Sequence, residues 1–251
     1  MTAGDSRRDE RGPADAVTFD VVVPTLDESA RIGALVERLL RGGVGERDRV
    51  ERVIVADGGS GDATRERARA AGAHVVVAQR GRGAQLAAGA RESHADVLVF
   101  LHADGMPQQR ALERVRDAFD DPQCNVAAFE QHIDAAGAFY RCVEWFADRR
   151  VARRGMVYGD SGLIVRRELY ARVGGFSALP LFEDVDLSRR LRVVARPRLI
   201  AGARLSISAR RWQAEGALRA TLRNRMLSLA FAAGVRSEQL ARFYPPHSER
   251  T

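Results

Sequence analysis

Apolar positions along the chain follow two rhythms, and the rhythms alternate. Phe19-Asp20-Val21-Val22-Val23 is a short run rich in β-branched residues and predicts a buried strand. Ile32, Leu35, Val36, Leu39 and Leu40 then recur at helical spacing. The pair of patterns repeats three times. Val53 to Ala56 predicts a strand and Thr64 to Ala71 a helix. Val75 to Val77 predicts the third strand and Gly83 to Ser93 the third helix. Val97 to Leu101 predicts the fourth strand, followed by a helix through Leu112, Val115 and Phe119. Strands this apolar need cover on both faces, as in a mostly parallel sheet with helices on either side.

The second half is less regular. Tyr140 to Arg154 predicts a helix, Leu163-Ile164-Val165 a short strand, and Gly174-Gly175-Phe176 a turn. Leu187 to Val194 predicts a helix and Leu205 to Ser208 a strand. Leu218, Leu222, Met226, Leu229 and Ala230 mark a last amphipathic helix, expected to pack its stripe on its own domain. Residues 1–16 are polar, carry both charge signs and are expected to be a flexible tail. Residues 17–251 are expected to form one mixed α/β domain, with a helical extension from residue 213.

Composition narrows the classes. Of 251 residues, 45% are hydrophobic and 29% charged, which suits a globular protein with a sizeable core. All 40 basic residues are arginine. Without lysine a P-loop is excluded, and the incomplete GxGxxG at Gly59 disfavours a dinucleotide site. Residues 149–225 hold 18 arginines against 6 acids, whereas residues 1–148 hold 19 against 25. The excess favours an anionic partner for the second half. Cys124 and Cys142 do not form a CxxC and are expected as core thiols of a cytoplasmic protein. The longest near-apolar run, Met226 to Val235, falls short of the ~20 residues of a spanning helix. Surface attachment stays open, because Arg219, Arg223 and Arg225 lie beside the last apolar stripe.

In doubly wound sheets ligands bind at the carboxyl ends of the strands. Those ends carry unusual residues here. Pro24-Thr25-Leu26-Asp27-Glu28 follows the first strand and Asp57-Gly58-Gly59-Ser60-Gly61-Asp62 the second. Arg80-Gly81-Arg82-Gly83 follows the third and His102-Ala103-Asp104 the fourth. Any one of these is explained as a turn or a cap. Four together point to a site.

The series resembles family 2 glycosyltransferases. It continues through Gly159-Asp160-Ser161-Gly162, Gly174-Gly175-Phe176, Glu183-Asp184-Val185-Asp186-Leu187 and Ser208-Ala209-Arg210-Arg211-Trp212. The Arg82, Gln85 and Gly89 positions look most like a small bacterial branch described as arsenosugar-biosynthesis or selenodomain-associated glycosyltransferases. The resemblance implies a GT-A fold, with a nucleotide-binding half over 17–107 and an acceptor and catalytic half over 108–212. It implies inverting transfer of a sugar from a nucleotide-diphosphate donor, with UDP favoured, to an acceptor it does not identify. Nucleic acid is not expected as a partner, and peripheral contact with the inner membrane face stays open.

Site roles follow from the same resemblance. Asp104 matches the last Asp of the metal-binding DxD, so Mg²⁺ or Mn²⁺ is expected. His102 stands where many relatives have Asp. It touches the metal or the donor ribose, or is a strand-end histidine bonded to backbone. Asp57 is expected to bond the nucleobase, with Pro24, Thr25, Glu28, Gln85 and Ala103 around base and ribose. Arg82 reaches the diphosphate or is a solvated loop arginine. Asp184 is the expected base, with Glu183 beside it, and capping of the next helix falls to Asp186. Asp160 is expected near donor sugar or acceptor. Arg211 and Trp212 are expected at diphosphate and acceptor, with core packing the alternative for Trp212. Two other classes share parts of this pattern. A nucleotidyltransferase wants a Gly-rich basic loop after the first strand, which Pro24 to Glu28 does not supply. A polyanion-binding protein would use the basic half, but aromatics total only 6%.

Overall fold

The computed structural model describes residues 17–42 and 46–244; the expected tail at 1–16 lies outside them. The first half forms as its periodicity predicts, with one short strand added before the fourth helix. Strand β1 (Phe19–Thr25) leads to helix α1 (Ile32–Arg41), β2 (Arg52–Asp57) to α2 (Thr64–Ala70), and β3 (His74–Val77) to α3 (Arg82–Arg91). Strand β4 (Val97–Phe100) and the short β5 (Gly105–Pro107) precede α4 (Ala111–Phe119). The second half holds β6 (Val126–Asp134), α5 (Ala138–Arg154), β7 (Leu163–Arg166), α6 (Arg167–Arg172) and α7 (Glu183–Val194). It ends with β8 (Arg198–Ser208), α8 (Arg210–Glu215), α9 (Ala217–Ala232) and α10 (Ser237–Ala241).

The eight strands share one sheet in the order β3-β2-β1-β4-β7-β6-β8-β5. β3, β2, β1 and β4 run parallel, and β7 joins β4 antiparallel. Alternate residues of each central strand enter opposite layers, as the pleat demands. Val21 and Val23 pack with Leu35 and Leu39 of α1 and Val115 of α4, while Val22 packs with Leu86 of α3 and Leu187 of α7. Helix α3 lies so close to β1 that a Cβ at Gly89 would collide with Val22.

Two features of the sheet place a site. Chain order reverses between β1 and β4, so their following loops part and leave a crevice. The antiparallel register Phe100↔Leu163 then sets the turn before β7 beside the residues leaving β4.

The structure corrects four expectations. Helix α7 starts at Glu183, not Leu187, and its N-cap residue is Phe182, so Asp186 is not a cap. Asp186 instead pairs with Arg190 at 2.6 Å and accepts a hydrogen bond from Ser177 Oγ at 2.8 Å. Cys124 is buried, but Cys142 is exposed on α5 and is no core thiol. The outer stripe of α9 does not pack: Leu222, Met226 and Leu229 are 58%, 63% and 64% exposed. Leu227 on the other face is buried instead. Among the described residues no helix is long and apolar enough to cross a membrane.

Candidate active site

The loops after β1 and β2 are stitched into one wall. Asp27 sits at φ 55°, which turns the chain so that its amide donates to Ser60 Oγ and its carboxylate accepts from the Gly61 amide. The Glu28 amide donates to Thr64 Oγ1 and the Ser29 amide to Asp62. Asp62 also accepts from Thr64. Burial alone would raise it, but these bonds to Thr64 and Ser29 hold its carboxyl down at about 2.

Asp57 is fully buried in this wall. Its carboxylate accepts from the Gly59 and Ser60 amides, the Ser60 hydroxyl and the Thr25 hydroxyl at 3.3 Å. Both oxygens are thus engaged by their own turn, and a base reaching Asp57 would have to exchange one of these bonds. Gln85 is also buried. Its amide nitrogen donates to Thr25 O at 2.7 Å and Ala56 O at 2.8 Å, which ties the ends of β1 and β2 to α3. The residue predicted for the nucleotide pocket therefore spaces the two strand ends from beneath. Pro24 and Thr25 are buried within β1, and Glu28 is part-exposed, with Arg31 at 3.1 Å.

The opposite wall comes from α7. Gly83 opens α3 against the loop before α7; a Cβ there would collide with Ser177 O. This approach lets Arg82 hydrogen-bond both carboxylate oxygens of Glu183. Glu183 is almost wholly buried, whereas Arg82 keeps 28% of its side chain exposed. Burial lowers the arginine, but the Glu183 and Asp184 carboxylates outweigh it and hold Arg82 above its usual range. Arg82 is therefore neither a solvated loop residue nor a guanidinium with all its donors open to a diphosphate.

Asp184 follows in the first turn of α7. Its Oδ2 accepts from the Gly159 amide at 2.6 Å, and its Oδ1 from the Val185 amide at 2.7 Å. Burial and the neighbouring Glu183 charge push its carboxyl up to about 6, against the pull of Arg82 and the two amides. A carboxyl so tuned changes protonation near neutral pH, as a general base requires.

The turn Gly159–Ser161 joins this wall to β4. A Cβ at Gly159 would collide with His102 Nε2 and stand 3.3 Å from Asp184 Oδ2, so the imidazole and the carboxylate flank the same backbone. Ala103 is buried and Asp104 is exposed at the crevice. Asp160 accepts from Arg150 at 3.3 Å and Gln131 at 3.4 Å, and the Arg150 guanidinium lies 3.8 Å over the Tyr158 ring. No local pattern announces this support, since Arg150 is one of five arginines on its helix and Gln131 lies in a strand without clear alternation. Trp212 packs edge-on against Tyr140 at 6.4 Å on the margin of the larger core. The side chain of Arg211 lies outside the described residues.

Among the described residues no three His, Cys, Asp or Glu side chains converge as a metal cage. The donor set at the end of β4 is one exposed carboxylate, Asp104, with the His102 imidazole two residues earlier. That set fits a Mg²⁺- or Mn²⁺-type ion, which keeps waters and takes other ligands from phosphate oxygens.

A sequence profile described as Glycosyl transferase family 2 matches residues 20–169. No curated protein matches the chain. Solved structures of like fold include the mannosyltransferase PcManGT from Pyrobaculum calidifontis in complex with GDP-Man and Mn²⁺. It is 18% identical, with TM-score 0.59, over 75% of this chain and 56% of that one. S. aureus TarS 1-349 in complex with UDP-GlcNAc is 18% identical, with TM-score 0.61, over 76% and 58%. Glucosyl-3-phosphoglycerate synthase from Mycobacterium tuberculosis, with Mg²⁺ and UDP, is 20% identical, with TM-score 0.55, over 76% and 70%. The chain thus spans less than two thirds of the length of the first two. These likenesses establish the α/β GT-A fold.

Proposed function

The chain belongs to glycosyl transferase family 2, and on that premise we propose that it moves a sugar, with inversion, from a nucleotide-diphosphate donor to an acceptor hydroxyl. Asp184 is the base. The observation that carries this reading is its placement: a carboxylate pushed up to about 6, facing the crevice beside Gly159 and His102 and backed by the Arg82–Glu183 pair.

The step is a single displacement. The acceptor oxygen bonds to the anomeric carbon from the face opposite the diphosphate, and the bond from that carbon to the phosphate oxygen breaks. Asp184 takes the acceptor's proton, and the electron pair leaves with the nucleoside diphosphate. The two backbone amides hold the Asp184 carboxylate in one orientation. Arg82 offers positive charge on the side where the leaving diphosphate develops negative charge. His102 and Asp104 would hold the ion, which when bound neutralises charge on the diphosphate. Imidazole suits Mn²⁺ better than Mg²⁺, so His102 in place of Asp shifts preference towards Mn²⁺.

For the donor, UDP is favoured, because the imide N–H of uracil is a donor that Asp57 can accept in exchange for one of the hydrogen bonds its carboxylate now takes from its own turn. Structures of like fold carry UDP, UDP-GlcNAc or GDP-Man. A thermal-shift panel of UDP-, GDP- and dTDP-sugars, each with Mn²⁺, Mg²⁺ or chelator, tests the reading. Stabilisation by a UDP-sugar, larger with Mn²⁺ than with Mg²⁺, is expected. Indifference to every donor in either metal would sink the proposal.

A further inference from the structure

Helix α9 is apolar on two faces, and only one of them is covered. Its inner face carries Leu227, buried with Leu181 and Leu240, and Phe231, stacked on Phe182 at 4.9 Å. Ser237 at the start of α10 secures the same segment, accepting from the Leu181 amide at 3.1 Å and donating to its carbonyl at 2.6 Å. The helical hairpin is thus fixed directly beside Glu183 and Asp184. Its outer face presents Leu222, Met226 and Leu229, each more than half exposed and spaced to share one side of the helix. Phe243, just beyond α10, is 69% exposed.

Charge decides between the occupants of such a face. Residues 216–244 contain five arginines and one acid, Glu238. At about 100° per residue, Arg219 falls on one side of the Leu222–Met226–Leu229 stripe and Arg225 on the other. Both are exposed, as are Arg236 and Arg242. A second copy of the chain would set arginine against arginine, because a two-fold interface presents the same basic patch from both sides. An anionic bilayer complements both features. The apolar side chains enter the acyl boundary while the guanidinium groups reach up to the phosphates.

We propose that the outer face of α9 docks this protein in the plane of an anionic membrane. The glycosyltransferase site then works one helix layer from the lipid surface. Docking itself does not rest on the donor or the chemistry, and its test needs no turnover.

The test is flotation of the full chain with vesicles of phosphatidylcholine alone or mixed with phosphatidylglycerol. Binding should be at least about tenfold stronger to the anionic vesicles and should fade with added salt. Met226→Asp with Leu229→Asp should abolish it while the chain still melts cooperatively. Arg219→Gln with Arg225→Gln, which leaves the apolar stripe intact and so guards against misfolding in the first variant, should weaken anionic binding at least about fivefold. No flotation with either vesicle, or equal binding to both, would overturn the proposal. So would a dimer of the wild-type chain that the Met226/Leu229 variant dissolves.

Discussion

Asp184 is where the proposed chemistry is most exposed to test at the scale of one residue. Its carboxyl lies near 6 because burial and Glu183 disfavour its charged form, so it must lose its proton before it can accept one. Turnover should therefore rise as pH increases through about 6 and level off above it, which a pH–rate profile reads directly. The same shift has a cost for folding. A carboxyl raised in the native state stabilises the fold while protonated, and that contribution is lost as pH rises through about 6. The Arg82–Glu183 pair predicts a different signature. Removing Arg82 leaves the buried Glu183 unpaired, so Arg82→Met alone should cost about 3–5 kcal/mol in chemical denaturation, and Glu183→Gln, which leaves a part-exposed arginine still beside Asp184, should cost less. The double variant Arg82→Met with Glu183→Met should cost less than the sum. Near-additive single losses would show that the pair is not coupled. The Glu-Asp motif is plain in the sequence, but its partner is not. Arg82 and Glu183 stand 101 positions apart, and no local pattern joins them.

At the scale of elements, close approach of α3 sets the geometry. Helix interiors normally gain about 1 kcal/mol when Gly becomes Ala. Gly33 on α1 has room for a methyl, its nearest neighbour being Arg67 O at 4.0 Å, so Gly33→Ala should raise the melting temperature. Gly89 on α3 has none, because the new Cβ would meet Val22 of the central strand. Gly89→Ala should therefore destabilise by about 1–3 kcal/mol, an overpacking cost that outweighs the propensity gain. Opposite signs in thermal unfolding are expected; equal signs would mean that α3 does not press on β1 as described. The elements that periodicity revealed are those with dense β-branched strands or clear helical stripes, β1 to β4 with α1 to α4, whereas the three-residue β5 is too short to carry either pattern. Strand β6 was not legible, because Ala127-Ala128 and Glu130-Gln131-His132 blur both apolar density and alternation. The true start of α7 was hidden for a related reason. Its first turn is acidic, and its N-cap position holds Phe182 at φ 65° with no side-chain cap bond.

Across the whole molecule, the arginine excess has been redistributed by the fold. Arg166 donates to the carbonyls of Cys124, Phe119 and Asp121, Arg167 to that of Ala95, and Arg196 to that of Ala152. Much of the charge that composition suggested for an anionic ligand thus closes loops, which net charge along a sequence cannot reveal. In the proposed reaction and docking, Arg82 in the crevice and the exposed arginines of α9 keep the electrostatic role. The strand-end motifs did gather at the reversal between β1 and β4, because parallel topology carries all their carboxyl ends to one edge. Their division of labour was less legible, as Asp57 and Gln85 turned out to spend their polar atoms on the scaffold. In the proposed reaction, one carboxylate deprotonates the acceptor while the rest of the crevice holds the donor. Water can stand in for the acceptor, so release of nucleoside diphosphate from the stabilising donor, in Mn²⁺ at neutral pH, reads that step without knowledge of the natural substrate. The wild-type chain should release it slowly. Asp184→Asn should fall by about a hundredfold or more while retaining the wild-type thermal shift with donor. Equal release by the two proteins would contradict the account.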